Sequence, residues 1–146
     1  MKKLLCAGLL LAFIGCKKSD STTTENNSIN TTTPTEAQVM GTYKQTAETR
    51  NGQNSWTTAN GMHQACDMDD TYTFGTNNIL TRTDAGTTCN PSYGGTSGWT
   101  LTGSTLRYYD GVDYTITSFD GTTLKLRWQG NSRGVQLVLE KTLVRQ

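Results

Sequence analysis

Histidine is nearly absent from this chain, and its scarcity removes whole classes of chemistry. His63 is the only one in 146 residues. A serine–histidine–aspartate arrangement would depend on it alone, and no Gly-x-Ser-x-Gly turn accompanies it. A zinc site of finger type wants four ligands, and neither a CxxC pair nor a second histidine is present. Charge of one sign is lacking too, with 13 basic against 12 acidic residues. No basic stripe marks a nucleic-acid surface. Long apolar runs are missing except for one, at the very start.

That run, Leu4 to Gly15, would rise roughly 18 Å as a helix against about 30 Å of hydrocarbon, so it is too short to span a bilayer. Lys2 and Lys3 precede it and small residues end it, the pattern of an export signal. Its last four residues, Phe13-Ile14-Gly15-Cys16, resemble the lipobox of bacterial lipoproteins. The resemblance implies a signal peptide over 1–15, cleavage before Cys16, a diacylglycerol on the Cys16 thiol and acylation (palmitate-type) of its new amine. Two or three acyl chains anchor a protein firmly where one holds it only marginally. Lys17 follows the cysteine, which in this resemblance implies the bacterial outer membrane, with the periplasmic or surface-facing side left open. The other reading is an ordinary secretory signal cut elsewhere.

Residues 17–37 are almost wholly Ser, Thr, Asn and charged, with Ile29 the only sizeable apolar side chain. Such composition cannot bury enough surface to offset the cost of ordering. The segment 16–38 therefore reads as a tether, with a reach of roughly 25 Å as a flexible coil. Loss of Lys2 and Lys3 leaves eleven basic residues against twelve acidic, close to neutral. No amphipathic basic helix supplements the lipid as a membrane contact.

Cysteine counting follows. Cys6 leaves with the signal, Cys16 carries lipid, and Cys66 and Cys89 remain as a pair. Exported chains meet oxidising surroundings, so these two are expected to join in a disulfide. The competing reading is a metal site in "HQACDMDD", where His63, Cys66, Asp67, Asp69 and Asp70 cluster. A calcium loop starting at Asp67 would need glycine sixth and glutamate twelfth, but Tyr72 and Asn78 stand there. No metal and no cofactor is expected.

From residue 39 to 146 the pattern changes to a period of two. Val112, Tyr114 and Ile116 alternate with Asp113, Thr115 and Thr117; Leu124, Leu126 and Trp128 alternate with Lys125, Arg127 and Gln129; Val135, Leu137 and Leu139 share one face. Such alternation marks strands with one buried and one wet face. The pattern extends back through Trp99-Leu101, Leu106-Tyr108 and Tyr72-Phe74, and into Met40–Glu48 and Asn54–Thr58. Turn signals stand at Asn77-Asn78, Gly103-Ser104, Asp120-Gly121 and Gly130-Asn131, residues that accept positive φ cheaply. "GNSRG" reads as a hairpin turn, and helix is limited to a turn at Glu36–Met40 or Gly61–Cys66. The chain is expected to be all-β, an antiparallel sandwich or barrel of eight or nine strands.

The order of "VMGTYKQTAE", "CDMDDTYTFGTNNILTRTD", Cys89, "SGWTLTGSTLRY", "DYTITSFDGTTLKLRWQ" and "VQLVLEKT" resembles the small lipocalin-like domains of bacterial envelope lipoproteins. Gly41-Thr42-Tyr43 stands where lipocalins have Gly-x-Trp. The resemblance implies an up-and-down barrel of about eight strands with a binding site at its mouth. Tyr43, Tyr72, Phe74, Trp99, Tyr108, Tyr114 and Trp128 are the inward-facing candidates for contact with a small apolar or amphipathic ligand. These large side chains either fill the interior or line a small open calyx, since eight strands leave room for one or the other. The loop Asp84 to Gly98 is a candidate lid or contact surface, or a plain connection. Two functions stay open: a non-catalytic ligand-binding module, or a filled barrel that docks on another envelope protein.

Overall fold

The computed structural model describes residues 33–146. The expected signal segment over 1–15, Cys16 and the expected tether up to residue 32 lie outside the described residues. A single turn of helix, α1 (Glu36–Val39), opens the domain, its end fixed by reciprocal hydrogen bonds between Thr35 and Gln38. Ten strands follow. The first five are β1 (Gly41–Arg50), β2 (Gln53–Asn54), β3 (Thr71–Phe74), β4 (Ile79–Thr83) and β5 (Gly95–Gly98). The rest are β6 (Thr100–Thr102), β7 (Thr105–Arg107), β8 (Asp113–Phe119), β9 (Thr123–Ser132) and β10 (Val135–Arg145).

Every pairing is antiparallel, in the order β5-β4-β3-β1-β10-β9-β8-β7-β6, with β2 a short spur on β1. The two ends of that path, β5 and β6, are separated only by Trp99. One stretch of chain pairs with β4 before the tryptophan and with β7 after it. The sheet thus nearly closes on itself as an up-and-down barrel, and with β5 and β6 taken as one interrupted strand the ring has the eight members the pattern suggested. The Trp99 indole pins the switch by donating to the Gly75 carbonyl at 3.0 Å.

Two β-bulges set which side chains face in. One lies between Gln45 and Ala47 in β1, the other between Ile116 and Ser118 in β8. The extra residue in β1 shifts the alternation by one, so Gln45 and Glu48 both point inward and both are buried. Three sequence-based turns stand where expected, with positive φ at Asn77, Asn78, Gly103 and Gly121. The fourth is corrected. Gly130-Asn131 lies inside β9, and the hairpin turns at Arg133-Gly134, with φ of 53° and 82°. Glycine is needed at 130 for another reason: a Cβ there would run into the Trp128 ring. The expected strand over Asn54–Thr58 shrinks to the two residues of β2.

Strand direction distinguishes the two ends of the barrel. At one end lie α1 and the short turns, with Val39 fully buried as a plug and Arg145 donating to the Gln38 carbonyl and the Tyr43 hydroxyl, both at 2.6 Å. At the other end lie both long connections, residues 55–70 and 84–94, together with the 108–112 loop and the β9–β10 turn. We refer to these as the floor and the mouth.

Candidate functional site

The floor half of the interior is packed solid. Tyr43 meets Phe74 edge-on at 5.6 Å between centroids, Phe74 meets Trp99 at 5.3 Å, and Leu80, Leu106 and Leu143 complete the layer with no exposed surface. Of the seven expected inward aromatics, six are buried in one core: Tyr43, Tyr72, Phe74, Trp99, Tyr108 and Tyr114. Trp128 is half-buried and packs against that core from the mouth end. Tyr43, Phe74 and Trp99 occupy the floor, so their surfaces are spent on one another. Tyr72, Tyr108 and Tyr114 reach the polar layer above.

That layer is where charge has been taken inside. Lys141, 5% exposed, donates to Asp110 Oδ2 at 2.9 Å, and its ammonium lies 4.8 Å from the Tyr114 ring and 5.5 Å from those of Tyr108 and Tyr109. A cation over several ring faces is held by their quadrupoles as well as by its carboxylate. Tyr114 donates its hydroxyl to the same Asp110 oxygen at 2.7 Å. Burial, then the Asp110 charge, pushes the Tyr114 phenol well up, so it stays a neutral donor. The buried Tyr108 hydroxyl has no hydrogen-bond partner among the described residues.

Across β1, Glu48 is 2% exposed and gathers Ser55 Oγ at 2.9 Å, Arg50 Nε at 3.2 Å and His63 Nε2 at 3.2 Å. Burial alone would raise this carboxyl. The hydrogen bonds from Ser55 and His63, with the Lys141 charge, outweigh it and the net shift is downward. His63 also meets Trp56 of the same loop edge-on at 4.6 Å, so the first long loop packs on itself and is held over the mouth by Glu48.

The second long loop is held by Asp70 and Arg82. Arg82 donates Nε to the buried Asp70 at 2.7 Å and one terminal nitrogen to Asp67 at 3.2 Å, while Ala85 N–H donates to Asp70 at 3.3 Å. Burial pushes the Asp70 carboxyl up, and Arg82 only partly opposes it. The Arg82 guanidinium lies 5.4 Å from the rings of both Tyr93 and Tyr109. Tyr109 in turn stacks on Tyr72 at 4.8 Å, a partly exposed lid over the aromatic core.

Cys66 and Cys89 are joined, Cα to Cα 5.2 Å apart, and this disulfide ties the two long loops to each other at the mouth. Cys66, Asp67 and Cys89 offer donor atoms within 4.8 Å of one another, yet both sulfurs are consumed by the bond. His63, which a metal site in this segment would have recruited, is turned to Glu48. Asp69 goes to the Thr87 N–H at 2.8 Å, so the aspartates of "CDMDD" are fastenings for the loops.

The sequence reading did not pick out Lys141, Arg82, Glu48, Asp110 or Tyr109. Lys141 falls in phase with Leu139 and Leu143, and Arg82 with Leu80, so a charged residue at an inward position was the available signal. Glu48 carried no such signal, because the bulge changes its phase.

A family profile described as a lipocalin-like domain matches residues 39–126. The chain belongs to this family. No curated protein and no solved structure matches it. The match ends within β9, and the lipocalin-like barrel is completed beyond it by β10, which pairs with β1 over Tyr43–Arg50. An eight-stranded barrel of this kind is suited to holding one small ligand. In this one a cleft of about 230 Å³ opens at the mouth beside β5, walled by Arg82, Tyr93, Tyr109 and residues 94–97.

Proposed function

We propose that this protein is an exported, lipid-anchored envelope protein whose lipocalin-like barrel binds a small amphipathic molecule at its mouth, without catalysis. The observation that carries the reading is the mouth itself: a cleft between the exposed rings of Tyr93 and Tyr109 with the guanidinium of Arg82 beside it. Aromatic faces accept the apolar part of a ligand, and the cation and its neighbours orient a polar end. The packed floor supports a shallow site over a deep calyx. The described chain begins at Thr33, beside α1 at the floor. A tether from a lipidated Cys16 would join the domain at its floor end.

Non-catalytic binding is favoured because Ser55 and His63 both bond the same oxygen of Glu48, so that His63 is engaged by a carboxylate and, among the described residues, hydrogen-bonds no serine. The filled interior favours a second reading as well, a barrel that docks on another envelope protein through the same rim. Met62, Tyr93, Tyr109 and Val135, all large and exposed, are carried there.

Mass spectrometry of the protein recovered from its host's membranes tests the first reading. The expected result is an N-terminus at a triacylated Cys16 and, under native conditions, a co-purifying small molecule. An N-terminus elsewhere removes the anchor. Repeated recovery empty, with one crosslinked neighbour in intact cells, replaces binding by docking.

A further inference from the structure

We infer that the free edge of β5 is a binding site for a short extended peptide. This rests on the reading that the mouth takes a small amphipathic molecule, and it names that molecule's class and the groups that hold it.

The barrel is incomplete beside β5. Strand β7 ends at Arg107, and the chain then turns, with Gly111 N–H donating to the Tyr108 carbonyl at 2.8 Å. Among the described residues, Gly95–Gly98 therefore has β4 on one side and no strand on the other. The direction of its unpaired groups follows from one hydrogen bond. Trp99 N–H donates to the Asn78 carbonyl, on the β4 side, at 2.9 Å. In an antiparallel ladder alternate residues point the same way, so Ser97 and Gly95 also face β4. Thr96 and Gly98 then turn their N–H and C=O toward the vacant side. No backbone hydrogen bond among the described residues satisfies them.

Native edges are usually blunted by lysine, proline or a bulge. Gly-Thr-Ser-Gly has none of these, and all four residues are exposed. Glycines at 94, 95 and 98 carry no side chain to hold a second backbone away. The cleft of about 230 Å³ lies along this edge, bordered by Gly95, Thr96 and Ser97 on one side and Tyr109 on the other. That volume takes little more than one large side chain, so a short peptide would lie along the exposed edge with a single side chain in the cleft. Backbone bonds from an edge with flanking pockets for side chains are a recurring mode of peptide recognition.

Charge selects the same ligand. Arg82 spends Nε and one terminal nitrogen on Asp67 and Asp70, leaving Nη1 without a hydrogen bond among the described residues. With two carboxylates against one guanidinium, the cleft disfavours an anion and suits a neutral amide carbonyl. A fatty-acid carboxylate offers acceptors only, whereas a peptide alternates donors and acceptors as Thr96 and Gly98 require.

The test is a titration of the isotope-labelled full chain, followed by amide NMR, with the capped tripeptide acetyl-Val-Tyr-Val-amide and, separately, with lauric acid. The expected result is saturable movement of the Thr96 and Gly98 amides by the tripeptide. N-methylation of a peptide nitrogen that faces the edge should weaken binding about fivefold to tenfold, the worth of one hydrogen bond. Thr96→Pro should do the same from the protein side, since its N–H faces away from β4. Tripeptide binding that leaves Thr96 and Gly98 unmoved, or that ignores N-methylation, overturns the inference. Lauric acid moving Tyr109 and Lys141 while the tripeptide does nothing removes the peptide site and keeps the mouth. Neither ligand binding removes both.

Discussion

Glu48 and Lys141 stand opposite one another on β1 and β10, both buried, and yet each takes its ion pair from elsewhere. Glu48 turns to His63 and Arg50, and Lys141 to Asp110. The mouth is thus built from two adjacent, separately satisfied charges. Each ties a different loop to the barrel wall: the 55–70 connection through His63 and the 108–112 loop through Asp110.

Removing one member of the second pair should be costly. Lys141→Ala leaves Asp110 without its cation, with only the Tyr114 hydroxyl still donating to it, and opens space among three tyrosine rings. An unfolding free energy lower by about 2–3 kcal/mol is expected, below the figure for a fully buried pair because Asp110 is partly exposed. Lys141→Met keeps most of the volume and should cost less. Urea denaturation of the two variants measures this, and equal losses would assign the whole effect to the lost charge rather than to packing.

The Glu48 carboxyl sets an acid limb of stability. Its folded value lies below the ordinary one, so its contribution is fully present above the unfolded carboxylate range and is lost as pH falls through the lowered value. Asp70, raised by burial, works in the opposite sense and regains stability on acidification. Glu48→Gln should lower the denaturation midpoint at neutral pH and flatten its fall on acidification. A variant with an unchanged acid limb would remove Glu48 from that role.

The disulfide closes a loop of 23 residues' separation, worth about 3 kcal/mol on the chain-entropy estimate. Reduction, or Cys66→Ser, should lower the melting temperature by about 10–20 °C for a domain of this size. The far-ultraviolet spectrum of the barrel should persist. Hydrogen exchange should quicken in the 55–70 and 84–94 loops first, and uniform loss of protection would show that the bond holds the barrel rather than its rim.

Trp99→Phe keeps the floor packed but deletes the indole bond to Gly75, at an expected cost of about 1 kcal/mol. Trp99→Ala opens the floor where the chain changes partners, at about 3–5 kcal/mol. Thermal unfolding of both, compared with Phe74→Ala, separates the role at the switch from ordinary core loss.

Much of this was open to reading along the chain. Alternation in β8, β9 and β10 is a local property, and it named the strands and most of their inward residues because one face of each had to leave water. Asn77-Asn78, Gly103 and Gly121 were identified as turns because a positive φ is a demand on a single residue. The Cys66–Cys89 pair followed from counting thiols in a chain whose opening residues read as an export signal.

Tertiary structure alone decided what depends on distant partners. Lys141 is tolerable inside only because Asp110, 31 residues away, and three tyrosines converge on it. The β1 bulge that aims Glu48 inward is set by pairing with β10, nearly a hundred positions later. Gly130 looked like a turn and is instead the space for Trp128. Alternation fixes which face a side chain takes; it does not say what waits there, because the groups that satisfy a buried charge come from strands that only closure of the barrel brings together.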